Sequence, residues 1–129
     1  HDIKAEDIPD ELSILPIRNA VLFPGVVMPI TVGRAKSVKL VQKAYKGNRI
    51  IGVLAQRNNL VDDPTVEGLY EVGTIAKIIK MIVLPDGNTT IIIQGKSRFK
   101  IEDYINEEPY FTAKVKLLKD KVIVGKKTY

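Results

Sequence analysis

The chain of 129 residues contains no cysteine and no tryptophan, and its only histidine is His1. Without cysteine, the chain cannot form a disulfide, bind a metal through thiolates or use a cysteine nucleophile. Because the one histidine lies at the first position, a Ser-His catalytic pair within the folded domain is excluded as well. The composition therefore removes several common hydrolytic and metal-dependent sites from consideration.

Long apolar runs are also missing, since no stretch approaches the roughly 18 residues that a membrane-spanning helix needs. Residues 1–6 are polar, which does not fit a secretory signal peptide. We therefore predict no membrane partner and a cytoplasmic location. Hydrophobic residues nevertheless make up 45% of the chain and charged residues 27%, which is ordinary for a soluble domain with its own core.

The pattern of apolar and turn-forming residues predicts a mainly β fold of about six strands with one helix. Strands are predicted over residues 12–17, 26–32, 50–56, 71–84, 89–94 with an extension toward Tyr104, and 110–118. Asp86-Gly87 between two β-branched runs is typical of a tight hairpin. Several strands are too long for a small flat sheet with two exposed edges, so we expect the sheet to curl into a partly closed barrel.

The one good helix signal covers residues 35–46 and ends before Gly47, a residue type that commonly follows a helix. A single apolar stripe along this helix is formed by Val38, Val41, Ala44 and Tyr45. Residues 1–11 are polar and acidic, and residues 120–129 are rich in lysine. We therefore predict one domain over residues 12–119, preceded by a flexible lead-in and followed by a linker.

A series of sequence motifs accompanies these predicted elements in a fixed order. The first motif is LPIRNAVLFPGVVMPI over residues 15–30, which is followed by VGR at 32–34. The others are EVGTIA at 71–76, LPDG at 84–87 and IQGKSRF at 93–99. In order and spacing these motifs strongly resemble the N-terminal domain of the ATP-dependent Lon proteases, and the similarity extends over about residues 12–119.

This resemblance implies a PUA-like pseudo-barrel that helps to hold unfolded or degron-bearing polypeptides for degradation in protein quality control. It also implies that the ATPase, with its ATP and Mg²⁺, and a Ser-Lys peptidase lie downstream in a parent chain that assembles as a homo-hexamer. After the VGR motif, where the family often carries an acidic residue, this chain has Ala35. Since the ATPase and the peptidase of the family lie downstream, this chain itself is expected to be non-catalytic and to hold no cofactor and no metal.

The residues agree with a non-catalytic role, because no phosphate-binding loop is complete. Such a loop needs the spacing G-x-x-x-x-G-K-[ST]. The nearest match ends at residues 125–128, but it has Asp120 in place of the first glycine and Lys127 in place of the hydroxyl residue. This segment is instead typical of a basic chain end.

Candidate nucleophiles and metal ligands are equally sparse. The only serines are Ser13, Ser37 and Ser97. A lysine that is adjacent in sequence does not aim its amine at a serine hydroxyl, so no Ser-Lys dyad is predicted here. The tightest group of carboxylates is formed by Asp62, Asp63 and Glu67. It lacks the EF-hand pattern, so a solvated loop is predicted.

The apolar connector over residues 21–28 is the candidate contact for unfolded polypeptides. Its apolar side chains are interrupted by turn residues, and they offer a non-directional contact that tolerates many client sequences. The predicted client-binding residues are Phe23, Val26 and Met28, joined at the helix start by Arg34 and Lys36, which could attract acidic segments. The alternatives are simple exposure for the two cations and closure of the barrel end for the apolar residues, which is favoured for Leu22 and Val27.

Two other functions remain open. PUA-like barrels often bind RNA, and the long hairpin carries basic residues at Lys77, Lys80, Lys96, Arg98 and Lys100. Aromatic residues are only 6% of the chain, so few are available to stack on bases, and the net charge of +5 also fits a solvated surface of mixed sign. The third function is structural, in which the domain sets hexamer geometry without touching clients.

Overall fold

The computed structural model describes residues 10–18, 20–61 and 64–118. Its elements are β1 (Glu11–Ile17), β2 (Val27–Val32), α1 (Ala35–Lys46), β3 (Ile50–Ala55), a 3-10 turn (Val66–Gly68), β4 (Val72–Val83), β5 (Thr89–Asn106) and β6 (Thr112–Leu118). Most of the predicted lead-in, the predicted linker and the carboxylates of Asp62 and Asp63 lie outside the described residues. The predictions for those segments stay predictions.

The six strands form one sheet in the order β2-β5-β4-β3-β1-β6, and β6 also pairs with β5. Five strands therefore make a closed ring, which is compatible with the expected pseudo-barrel. Strand β2 lies outside this ring, where it pairs antiparallel with the first part of β5, from Val27 opposite Gln94 to Val32 opposite Thr89. The prediction of a mainly β fold with six strands and one helix is confirmed.

Strand β5 includes the predicted extension toward Tyr104 and ends two residues later, at Asn106. It continues without a break through Gly95, so that its first part pairs with β2 and its second part pairs with β6. Two register shifts against β4, at Thr74/Ala76 and Ile78/Lys80, accompany this change of partner. Such irregularities bend a strand and increase its twist, which allows one strand to serve both the ring and the outer pair.

Helix α1 has the predicted bounds but a slightly different buried face. Its buried residues are Ser37, Leu40 and Val41. Val38, Ala44 and Tyr45 of the predicted stripe are only partly buried, so the stripe must be rotated to include Leu40. The Gly47 N–H donates to the carbonyl oxygens of Lys43 and Ala44, which ends the helix as expected.

The interior of the ring is centred on Phe99, whose side chain is fully buried. The ring of Phe99 fills the space above two glycines on neighbouring strands: a Cβ added at Gly52 or Gly73 would lie 2.9 Å or 3.1 Å from its ring carbons. Ile14 and Ile75 are buried in the same cluster. Glycine at position 52 therefore makes room for one large aromatic side chain, whereas glycine at position 73 also allows the close approach of the Val53 carbonyl oxygen, with which an added Cβ would collide.

Tyr104 is a partly buried tyrosine that should make the stability of the fold depend on pH in the alkaline range. Burial raises the pKa of Tyr104 to about 12, and the negative charges of Glu107 and Glu71 add to the effect. Its hydroxyl oxygen is buried without a hydrogen-bond partner among the described residues, while its ring contacts the edge of Phe111 with centroids 5.9 Å apart. The folded protein thus holds the phenolic proton more tightly than the unfolded chain.

Because the folded protein holds the phenolic proton of Tyr104 more tightly than the unfolded chain, Tyr104 contributes to the free energy of unfolding. This contribution should be lost at high pH. Because the unfolded phenol ionises near its ordinary pKa of 10.0, the contribution is complete below pH 10 and falls as the pH rises toward the folded pKa of about 12. In Tyr104→Phe this part of the decline should vanish, and stability at neutral pH should stay equal or rise, because an unpaired buried hydroxyl is removed. Urea denaturation at several pH values checks both points, and parallel alkaline declines in the two proteins would contradict them.

Candidate polypeptide-binding surface

Two loops leave the ring at the same edge. Strands β1 and β3 are parallel, with Ile17 opposite Ala55, so their carboxyl ends lie side by side. Residues 18–26 follow β1 and residues 56–71 follow β3. The Gln56 N–H donates to the Ile17 carbonyl oxygen at 2.8 Å, which joins the two loops where they begin. We call the described residues of these two segments, together with the first residues of β2 and β4, the apolar rim.

The apolar rim carries most of the exposed apolar side chains. Twelve large hydrophobic residues are exposed among the described residues, and eight of them belong to the rim. These eight are Val21, Phe23, Val26, Val27, Leu60, Val61, Tyr70 and Val72. Scattered single exposed residues are normal, but a concentration in the connections that follow two neighbouring parallel strands is typical of a surface that binds other molecules.

The first rim loop presents Phe23 on a tight turn. The Val26 N–H donates to the Phe23 carbonyl oxygen at 3.1 Å, and Gly25 adopts a φ of +85°, which favours glycine at the third position of such a turn. The turn is fastened to β5 by two backbone hydrogen bonds of 2.9 Å, from Gly25 N–H to the Gly95 oxygen and from Gly95 N–H to the Val26 oxygen. Phe23 and Val26 therefore remain 55% and 43% exposed on a well-supported backbone.

The two residues that were expected to close the barrel end behave differently. Leu22 is buried, and its carbonyl oxygen accepts a hydrogen bond of 2.7 Å from the Thr74 hydroxyl, which anchors the loop, while its closure of the barrel end stays a prediction. Val27 is 53% exposed, and the expectation that it plugs the barrel is wrong. The reason is topological: Val27 begins β2, which lies outside the ring, and it pairs with Gln94 on the outward row of β5.

Met28 and Arg34 meet in a groove of about 580 Å³ between β2, the end of β1 and the start of α1. Arg18 also lines it, and none of its described lining residues is acidic. The Arg34 guanidinium donates to the Gln56 side-chain oxygen at 3.4 Å, so this cation is linked to the second rim loop. The groove thus places one flexible apolar side chain beside two guanidinium groups.

Lys36 lies apart from this groove. Its ammonium group is 2.7 Å from the Glu108 carboxylate and 5.8 Å from the centre of the Phe111 ring. The five predicted client-binding residues therefore lie in three places. Phe23 and Val26 lie on the turn, and Met28 and Arg34 lie at the groove. Lys36 forms an ion pair with the segment before β6. A direct contact between Lys36 and a client would have to compete with Glu108.

The second rim loop supplies residues that sequence reasoning did not propose. Leu60 is 89% exposed, and Tyr70 is 46% exposed with the Arg57 guanidinium carbon 4.7 Å from its ring centre. This stretch reads as a polar loop in the sequence. Leu60 is followed directly by Val61, and no local pattern in that segment indicates which of the two is more exposed.

The basic residues considered for RNA binding do not follow one row of the sheet. The register places Lys77 opposite Gln94 and Lys80 opposite Ile92, whereas Lys100 lies opposite Val72 near the other end of β4. Within the described ranges, no group of three or more metal-ligating side chains is found. Over the same residues, no helix has both the length and the apolar character to cross a membrane.

The comparisons with known proteins agree with this architecture. The sequence is 60% identical over 119 residues to the Lon protease of Cytophaga hutchinsonii, and this match covers 92% of the chain and 15% of that protein. It is 49% identical over 115 residues to the Lon protease of Flavobacterium johnsoniae, covering 89% of the chain and 14% of that protein. The chain thus spans about one seventh of the length of these relatives.

Solved structures show the same fold. A Lon N-terminal domain protein from Xanthomonas campestris matches with a TM-score of 0.66 at 19% identity, over 84% of this chain and 60% of that chain. The N-terminal domain of a Mycobacterium avium complex Lon protease gives the same TM-score at 17% identity, over 84% of this chain and 55% of that chain. The family model described as the ATP-dependent protease La (LON) substrate-binding domain matches residues 11–128. The chain belongs to the LON substrate-binding domain family.

Proposed function

We propose that this chain recognises clients for a Lon protease, by holding unfolded or degron-bearing polypeptides at the apolar rim for degradation in protein quality control. The observation that carries this proposal is that eight of the twelve exposed large hydrophobic side chains among the described residues belong to the two segments that follow β1 and β3 and to the strand starts that come after them. The substrate-binding role in the family description supports it. The chain contributes binding, and the chemical steps take place elsewhere.

The parent protein is proposed to be a cytoplasmic, ATP-dependent serine endopeptidase. Its Ser-Lys dyad and its site for ATP and Mg²⁺ would lie outside this chain, which covers only about 15% of its Lon protease relatives. The partners of the domain are then the client, the remainder of the Lon chain and the other subunits of a homo-hexamer. Neither a membrane nor a nucleic acid is needed for this role.

The rim suits a client that has no fixed sequence. Contact between apolar side chains is non-directional, and it stabilises a complex by about 25 cal/mol for each Å² of apolar surface that leaves water. Phe23 offers a rigid aromatic surface, while Met28 is flexible and adapts to different partners. The cations Arg18 and Arg34 at the groove favour segments in which apolar residues alternate with acidic ones.

Replacing Phe23 and Met28 together by serine tests the proposal. Loss of both apolar contacts should weaken binding of a fluorescently labelled unfolded polypeptide by about tenfold or more, which corresponds to about 1.4 kcal/mol. The control is Ile82→Ser with Val83→Ser at the end of β4, of which Val83, 59% exposed, matches Phe23 at 55%. Because Met28 is partly buried against the core, Phe23→Ser and Val83→Ser are also compared as single changes. Fluorescence anisotropy measures the affinity, and circular dichroism shows that each variant is folded.

The same variants in the full-length protease extend the test to degradation. Slower degradation of an unfolded client by the Phe23/Met28 variant, with unchanged hydrolysis of a short peptide, is the expected result. Unchanged affinity and unchanged degradation would remove the rim from client binding. A change in sedimentation of the hexamer without any change in affinity would favour the structural function instead.

A further inference from the structure

Leu60 is the most exposed large hydrophobic residue among those described, at 89%. A fully solvated leucine has no stabilising role in the isolated domain, because its side chain buries almost no apolar surface. A flexible loop could hide such a side chain by folding it against the ring. Hydrogen bonds on both sides of Leu60 instead support a turn in which the side chain is exposed to solvent.

The buried side chain of Gln56 fixes the turn that carries Leu60. Its amide nitrogen donates to the carbonyl oxygens of Asn58 at 3.2 Å and Val61 at 2.8 Å. The Asn58 side-chain oxygen accepts from the Leu60 N–H at 2.9 Å, and the Val61 N–H donates to the Asn58 carbonyl oxygen at 3.3 Å. The backbone on both sides of Leu60 is therefore held in one conformation.

The same turn is connected to the loop that carries Phe23. Arg18, the first residue after β1, donates from one guanidinium nitrogen to the carbonyl oxygens of Asn59 at 3.4 Å and Val61 at 3.3 Å. Arg34 completes the link, since its guanidinium donates to the side-chain oxygen of Gln56. One hydrogen-bonded network thus fixes the Leu60 turn relative to β1 and to the groove.

We propose that Leu60 is a second client contact, and that one client segment bridges the Phe23 turn and the Leu60 turn. This inference rests on the proposed function and names the client class: segments with two apolar clusters separated by polar residues. A turn that is already ordered loses little conformational entropy when it binds. Two contacts on one segment then act as a bivalent site, in which the second contact forms at high effective concentration.

Leu60→Ser tests the bridge without disturbing the turn, because the hydrogen bond at position 60 uses the backbone N–H. The probes are two labelled peptides of about 20 residues, long enough when extended to cross the edge of the ring. One carries two apolar clusters and the other carries a single cluster in the same polar background. The native chain should bind the two-cluster peptide about tenfold more tightly than the single-cluster peptide.

In Leu60→Ser this preference should fall to about twofold or less, while the affinity for the single-cluster peptide stays close to the native value. Val83→Ser, at the far end of β4, should keep the full preference. An undiminished preference in Leu60→Ser overturns the bridge, and the proposed function survives that result if Phe23→Ser weakens binding of both peptides. If neither substitution weakens binding of either peptide, the bridge and the proposed function fall together.

Discussion

Gly95→Ala is expected to push the Phe23 turn off β5 and to lower the stability of the domain. A Cβ added at position 95 would collide with the carbonyl oxygen of Phe23 and lie 3.1 Å from its carbonyl carbon. This neighbour is backbone, so it cannot move aside as the end of a flexible side chain can. The turn must therefore shift, and the two hydrogen bonds that join Gly95 to Gly25 and Val26 must lengthen or break.

The free energy of unfolding should fall by about 2–4 kcal/mol, as expected for overpacking combined with the loss of two backbone hydrogen bonds. Gly68→Ala is the matched control, because a Cβ there would meet only the Pro64 side chain at an ordinary distance of 3.6 Å. Urea denaturation measures both changes. The control should change the free energy of unfolding by less than about 1 kcal/mol.

Client binding should decline in Gly95→Ala as well, even under conditions where the protein is fully folded. Phe23 keeps its side chain in this variant, but its turn loses the backbone hydrogen bonds to β5 that hold the side chain in place. Hydrogen exchange should show faster exchange at the amides of Gly25 and Val26 in the variant. Native exchange at these amides together with native affinity would show that the turn does not depend on the close approach at Gly95.

Local patterns in the sequence were sufficient for most elements, because helix and strand periods depend on neighbouring residues. Helix α1 has the predicted bounds, and the Asp86-Gly87 hairpin joins β4 to β5 as expected. The turn around Gly25 was equally visible, since Pro-Gly pairs define turns by their own backbone preferences. These features could be predicted without knowing how the strands pair in the sheet.

The exposure of individual side chains was harder to predict, because it depends on where a strand lies in the sheet. Leu22 and Val27 look alike in sequence, yet one is buried and the other is exposed, since β2 pairs outside the ring. Leu60 was overlooked for the same reason. Its exposure depends on a network that joins Gln56 to Arg18, a residue 38 positions earlier in the chain, and no local pattern reports such a contact.

Phe99→Ala should have the largest effect on stability of any single change that we propose. Phe99 is fully buried and is the largest of the fully buried side chains in the part of the chain that the structure describes. Truncation of such a side chain costs about 3–5 kcal/mol, because the lost apolar contacts are accompanied by a cavity. A domain of this size is stable by only about 5–15 kcal/mol in total, so this one truncation should remove a substantial fraction of the free energy of unfolding.

The packing of Phe99 over glycine makes a sharper prediction through a double-mutant cycle. Gly52→Ala alone should be destabilising by about 1–3 kcal/mol, because its Cβ would lie 2.9 Å from the Phe99 ring and 2.8 Å from the Ile14 side chain. In a Phe99→Leu background the ring carbon near position 52 is absent. The added methyl group then occupies freed space, and the double variant should be more stable than the sum of the single changes predicts, by about 1 kcal/mol.

Gly87→Ala provides the comparison for this cycle. Gly87 has a φ of +93° and nothing within 4 Å of an added Cβ, so its cost comes from backbone conformation alone. Combined with Phe99→Leu, it should give an additive change in the free energy of unfolding, because the two sites share no contact. Additivity for Gly52→Ala as well would mean that the glycine does not make room for the ring. Positive coupling at position 52 alone would show that the Phe99 ring needs a residue without a side chain at this position of β3. The core around Phe99 would then depend on Gly52, which lies on one of the two parallel strands whose carboxyl ends lead into the apolar rim.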